Sequence, residues 1–228
     1  MMFSQMSKAL AMAATVALGL TVTLTGGAAV GAQPVIVQRV TDAAPGGPVV
    51  VAIGDSIVEG HGLQPAQAWP ALLAEQYGWN LTNLASDGSG FATVGNNGDT
   101  FVDQVAVAAQ LHPSIVLISA SSNDLGEPAS TVATATDTAM QELRAELPNA
   151  EIVVVSPIWN NTAEPPELAT FGQDAANVAA SIGAVSLNIG QPLEGYPQLM
   201  QADDVHPTAV GQRVIARDVA HALTAATS

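Results

Sequence analysis

Cysteine is missing from all 228 residues, which excludes disulfides, thiolate metal sites and a cysteine nucleophile. Positive charge is nearly as scarce. Five Lys and Arg side chains face twenty Asp and Glu, and Lys8 is the sole lysine. Beyond residue 32 the basic side chains are Arg39, Arg144, Arg213 and Arg217, while every acidic residue is retained. So negative a balance disfavours nucleic acid and anionic membrane surfaces as partners and favours solubility, but it leaves the fold undetermined. Repeats at solenoid spacing are lacking too. Long apolar runs are absent with one exception, at the N-terminus.

That exception reads as a targeting segment. Residues 9–25 carry no charge and follow Lys8, and Val30-Gly31-Ala32 has the small-residue pattern of a signal-peptidase site before Gln33. The run is a little shorter than a typical membrane span, so residues 1–32 are expected to be an export signal rather than an anchor. Residues 33–48 contain Pro34, Pro45, Gly46, Gly47 and Pro48 and read as a linker or loosely docked arm. Residues 49–228 remain for one domain with a full core.

The chain from residue 49 alternates between two patterns. Val49-Val50-Val51-Ala52-Ile53 is an uncharged, largely β-branched run, as expected of a strand buried on both faces. Similar short runs fall at 81–84, 115–118, 152–155 and 184–187. Between them lie helical patterns: one from Pro70 to a stop at Gly78, one with Phe101, Val105 and Ala108 on a single face, and one over 167–181. A last helix, starting at Pro207, carries Val210, Val214, Ile215 and Val219. The clearest periodicity is Val132, Thr136, Ala139, Met140, Leu143 and Leu147, ended by Pro148. Such alternation predicts an α/β fold, a three-layer α/β/α sandwich around a five-stranded parallel sheet. Right-handed crossovers then bring every strand-to-helix loop to one edge, where ligands bind in open α/β sheets.

That edge collects the residues with chemistry to offer. Gly54-Asp55-Ser56 ends the first strand, and a glycine there permits a sharp turn that would present the Ser56 hydroxyl. A loop around Gly88, then Asn123-Asp124, then Trp159 with Asn160 and Asn161, and finally Asp203-Asp204-Val205-His206 follow later strands. Each is weak alone: a serine after a strand is often a cap, Asn-Asp an ordinary turn, and an acidic loop merely solvated.

In their order, these segments resemble the SGNH (GDSL-type) hydrolases, a family of small esterases and lipases with a flavodoxin-like sheet. Gly54-Asp55-Ser56-Ile57-Val58-Glu59-Gly60 matches the first block, and Asn83-Leu84-Ala85-Ser86-Asp87-Gly88 resembles the second. Asn123-Asp124 resembles the end of the third, and Asp203 with His206 the Asp-x-x-His of the fifth. The third block departs from Gly-x-Asn-Asp by having Ser121-Ser122 before Asn123, which bears on the pose of Asn123 because serine lacks the backbone freedom of glycine.

The resemblance implies Ser56 as nucleophile, His206 as its base and Asp203 orienting the imidazole, with Asp204 as competitor for the last role. It also implies an oxyanion site from the Ser56 and Gly88 N–H groups and the Asn123 side-chain amide. His61, Trp159 and Asn160 are candidates for contacting substrate. His112 and His221 read as structural. No cofactor is implied. A metal on Asp203, Asp204 and His206 is disfavoured because no second histidine has ligand spacing nearby. With short connections that leave little chain for a lid, the expected substrate is a small-molecule ester or an acylated glycan rather than a long-chain lipid. The alternatives are an acyltransferase using the same triad, a catalytically silent carbohydrate- or envelope-binding domain, and a flavodoxin-like cofactor binder.

Overall fold

The computed structural model describes residues 38–39 and 46–226. The expected export signal lies outside the described residues, as does most of the expected linker. After a two-residue strand β1 (Gln38–Arg39), the chain runs β2 (Val49–Ile53), a helical turn α1 (Ser56–Glu59), α2 (Trp69–Tyr77) and β3 (Asn80–Asn83). It continues with α3 (Phe101–Leu111), β4 (Ile115–Ser119), α4 (Ala129–Glu146), β5 (Glu151–Val155), α5 (Pro166–Ser181), β6 (Val185–Leu187) and α6 (Ala209–Ala226). Sheet order is β1-β3-β2-β4-β5-β6. Five strands are parallel, with Val51 opposite Thr82 on one side and Val116 on the other. This is the expected α/β sandwich.

One element departs from expectation. Gln38–Arg39, inside the expected linker, pairs antiparallel with β3. Without it β3 would be an edge strand with a row of unpaired N–H and C=O groups, and even two residues of arm blunt that edge.

The central parallel strands β2, β4 and β5 are largely apolar because each face has its own helical layer. Val50, Ala52, Leu117 and Val153 pack with Leu73 of α2 and Ile215 and Val219 of α6. The alternate residues Val51, Ile53, Val116 and Val154 pack with Val105 of α3, Met140 and Leu143 of α4, and Ala175 of α5. Each large aliphatic side chain so buried contributes roughly 1.5–3 kcal/mol. The α4 stripe is buried as its periodicity predicts, through Val132, Thr136, Ala139, Met140 and Leu143. Two buried glutamines tie the layers to β2 and its turn. Gln104 of α3 accepts from the Gly54 N–H and donates to the Gly54 carbonyl. Gln212 of α6 accepts from the Trp69 N–H and donates to the Ile57 carbonyl. Gln212 thereby fixes α6, and the loop before it, against the turn that carries Ser56.

Candidate active site

At the carboxyl end of β2 the chain turns within a single residue. A Cβ on Gly54 would run into the Val58 side chain, so only glycine permits this turn. Asp55 caps the helical turn that follows: one carboxylate oxygen accepts from the Ile57 and Val58 N–H groups, the other from the Ser121 hydroxyl at 2.7 Å. Burial pushes the Asp55 carboxyl above its ordinary value, and the Ser121 hydroxyl, the two N–H groups and nearby His206 act against that rise. Ser56 is the first residue of the turn, where an N–H has no intrahelical acceptor. The residue is buried, at 6% exposure.

The loop before α6 brings the imidazole to it. His206 Nε2 stands 2.9 Å from Ser56 Oγ, and Nδ1 stands 2.8 Å from Asp203 Oδ2. Asp203, not Asp204, faces the ring. The other Asp203 oxygen accepts from the Val205 and His206 N–H groups at 3.0 Å each. The His206 N–H, then the His206 side chain and the Val205 N–H, hold the Asp203 carboxyl well below the usual carboxylate range. Asp204 instead takes a left-handed conformation, and its carbonyl accepts from Asn160 Nδ2 at 3.2 Å. A hydroxyl, an imidazole and a carboxylate thus stand in series, an arrangement able to move a proton off Ser56 Oγ.

The loops after β3 and β4 close the other side. Gly88 has φ +77°, in the left-handed region that glycine occupies without strain. The next residue, Ser89, donates its hydroxyl to the Gly54 carbonyl. Asn123 donates from Nδ2 to the Ser89 carbonyl at 2.9 Å, which leaves its second amide hydrogen for a ligand. Asp124 clamps the same loop by accepting from the Phe91, Ala92 and Thr93 N–H groups, and a Cβ on Gly90 would collide with its carboxylate. Ser121 has an ordinary extended φ of −109°, so nothing there demands glycine. Its hydroxyl accepts from the Asn123 N–H at 3.0 Å while donating to Asp55. The departure from the family pattern therefore substitutes a hydrogen-bonded hub for backbone freedom.

The remaining sequence candidates occupy distinct places. Trp159 is partly buried against the small cluster of Val132, Leu168 and Phe171, and its indole N–H donates to Thr162. Asn160 uses its amide within its own loop and toward Asp204. His61 stacks on His206, with ring centroids 4.0 Å apart and planes 24° from parallel, while its Nδ1 meets Asp87 Oδ2 at 2.5 Å. Beside that pair the Glu59 carboxyl is pushed up to about 8, mainly by burial and then by Asp87. His61, Asp203 and His206 offer ligand atoms within 4.8 Å of one another. Face-to-face rings, however, cannot aim their in-plane lone pairs at one ion, so this trio does not suit a metal. His112 and His221 are exposed, and neither joins this cluster.

Sequence reasoning gave no role to Asp87, Gln104, Gln201 or Gln212. A polar residue inside an apolar helical stripe is the one available signal for Gln104, three residues after Phe101 and one before Val105.

The fold is an α/β sandwich whose sheet edge carries a serine, a histidine and an aspartate in series. Residues 52–214 match the model of the GDSL-like lipase/acylhydrolase family, and the chain belongs to that family of carboxylic ester hydrolases. A GDSL lipase of Mycobacterium tuberculosis is 27% identical over 187 residues, covering 75% of this chain and 79% of that protein. Among solved structures, the psychrotrophic esterase EstA from Pseudoalteromonas sp. superposes with a TM-score of 0.63 at 22% identity, over 78% of this chain and 97% of its own. A family two carbohydrate esterase from Clostridium thermocellum, in complex with cellohexaose, has a TM-score of 0.62 at 18% identity, over 78% and 64%. At those identities the two structures speak to the fold alone.

Proposed function

We propose that the chain is an exported serine esterase acting on short-acyl or carbohydrate-linked esters, with Ser56 as nucleophile, His206 as general base and Asp203 orienting the imidazole. The observation that carries this reading is the unbroken contact series from Ser56 Oγ through His206 to Asp203. Ser56 Oγ attacks the ester carbonyl carbon as His206 Nε2 takes its proton. The bond to the alcohol oxygen then breaks, and His206 returns the proton to that oxygen. Water, deprotonated by the same nitrogen, then attacks the acyl carbon, the bond to Ser56 Oγ breaks, and Oγ regains the proton from His206 as the acid leaves. The charge on the carbonyl oxygen is met by the Ser56 and Gly88 N–H groups and the free hydrogen of the Asn123 amide, each such donor being worth about a hundred- to a thousandfold in rate.

The preference for small or glycan-borne acyl groups is supported by the exposure of the Asp203 side chain, which is 42% accessible at the mouth of the site. An open rim admits a large acylated surface better than it shields a long acyl chain. Trp159, next to the Asn160 whose amide reaches the Asp204 carbonyl, is our candidate surface for a sugar ring, so glycan esters are tested beside simple ones. The test is hydrolysis of p-nitrophenyl esters of increasing chain length and of acetylated oligosaccharides. It uses protein recovered from the culture medium, whose first residue is expected to be Gln33. Ser56→Ala is expected to lose about 10⁴-fold or more in kcat. Full activity in that variant, or retention of residues 1–32 inside the cell, would contradict the corresponding part of the proposal.

A further inference from the structure

A second His–Asp pair lies directly against the first. His61 is held at Nδ1 by Asp87, and its imidazole covers one face of the His206 ring at 4.0 Å. We infer that His61 is a positioning residue for His206, a wall that keeps the imidazole aligned between Ser56 and Asp203. The inference rests on the reading of Ser56 and His206 as nucleophile and base.

The need for such a wall follows from exposure. Asp203 is open to water, its side chain being 42% accessible, so solvent competes for the oxygen that meets His206 Nδ1. Nor does the segment before His206 anchor it by packing, since Val205 is half exposed and Asp204 is in a left-handed turn. The His61 side chain is itself 40% accessible, but the residue is fastened from several sides. Its carbonyl accepts from Gln201 Nε2 at 2.7 Å, and the Gln201 N–H donates to the His206 carbonyl at 2.7 Å, so one glutamine sets the spacing of both backbones. Asp87 is itself built into the loop of Gly88, its carbonyl accepting from the Asn96 N–H. Glu59, holding its proton at neutral pH, can donate to Asp87 without adding a second negative charge beside the stack. The stack therefore joins the base to the loop that bears Gly88, one of the three proposed oxyanion donors.

A substrate-contacting histidine and a positioning histidine differ in what their loss changes. His61→Ala and His61→Phe are compared with the parent, after thermal melts establish that each is folded. Two readouts are taken: the rate at which a fluorophosphonate probe labels Ser56, and kcat and KM on p-nitrophenyl acetate. His61→Ala is expected to slow labelling and kcat about three- to tenfold while KM moves less than about twofold, the scale of one aromatic stack. His61→Phe keeps a stacking face without the Asp87 bond and is expected to recover part of the loss, falling between His61→Ala and the parent. Parental rates in His61→Ala, an effect confined to KM, or a His61→Phe as slow as His61→Ala would each overturn the inference. A parent that neither labels nor hydrolyses any ester would instead overturn the esterase proposal on which it rests.

Discussion

Ser121 carries a bond pattern that a glycine at that position could not supply. Its hydroxyl connects the carboxylate that caps the nucleophile turn to the N–H of Asn123, so nucleophile and amide donor share one buried hydrogen-bonded unit. Ser121→Ala leaves Asp55 with one donor fewer in a buried setting, and a stability loss of about 1–3 kcal/mol is expected. If Ser121 also sets the Asn123 amide, kcat falls with KM little changed, and denaturant melts beside steady-state kinetics separate the two effects. A variant with parental stability and parental kcat would show that the hub is idle. Glu59 gives the second prediction at this scale. In the fold its carboxyl holds a proton up to about 8, whereas in the unfolded chain it releases it near its ordinary 4.5. Between those values the folded state binds more protons, so this site makes the protein less stable as pH rises from about 4.5 to about 8. Asp203, shifted the other way, acts only in acid below this window. The difference in melting temperature between parent and Glu59→Gln is therefore expected to shift in favour of the variant as pH rises through the window. A difference independent of pH would contradict the assignment.

At the scale of elements, the reach of sequence reasoning varied with how strongly burial writes itself into pattern. β2, β4 and β5 were legible as uninterrupted apolar runs buried on both faces, and the α4 stripe by its three- and four-residue period. Leu143→Ala, in the middle of that stripe, is expected to cost about 2–5 kcal/mol in chemical denaturation, and a loss under about 0.5 kcal/mol would contradict its place in the core. β1 was not legible. Two residues, Gln38 and Arg39, are too few to show a periodicity, and their pairing completes the open edge of β3. The buried glutamines escaped notice for a related reason: a polar residue in an amphipathic helix normally marks the solvent face, and only the fold reveals the backbone groups of Gly54, Trp69 and Ile57 that Gln104 and Gln212 satisfy.

At the scale of the whole molecule, the topology does the assembling. A parallel sheet with right-handed crossovers sends the ends of β2, β3, β4 and β5 and the loop before α6 to one edge, and Ser56, Gly88, Asn123, Trp159 and His206 lie on those five segments. The order of the motifs along the chain was enough to anticipate that edge. It could not anticipate the stacked pair of histidines, because His61 meets His206 and Asp87 only through the fold. The most direct measurement is labelling of the folded parent and of Ser56→Ala with a fluorophosphonate probe, alongside turnover of p-nitrophenyl acetate. Labelling and turnover in the parent, both lost in Ser56→Ala with the melting profile retained, are the expected result. Equal labelling of the two proteins, or undiminished turnover without Ser56, would contradict the claim that this serine is the nucleophile.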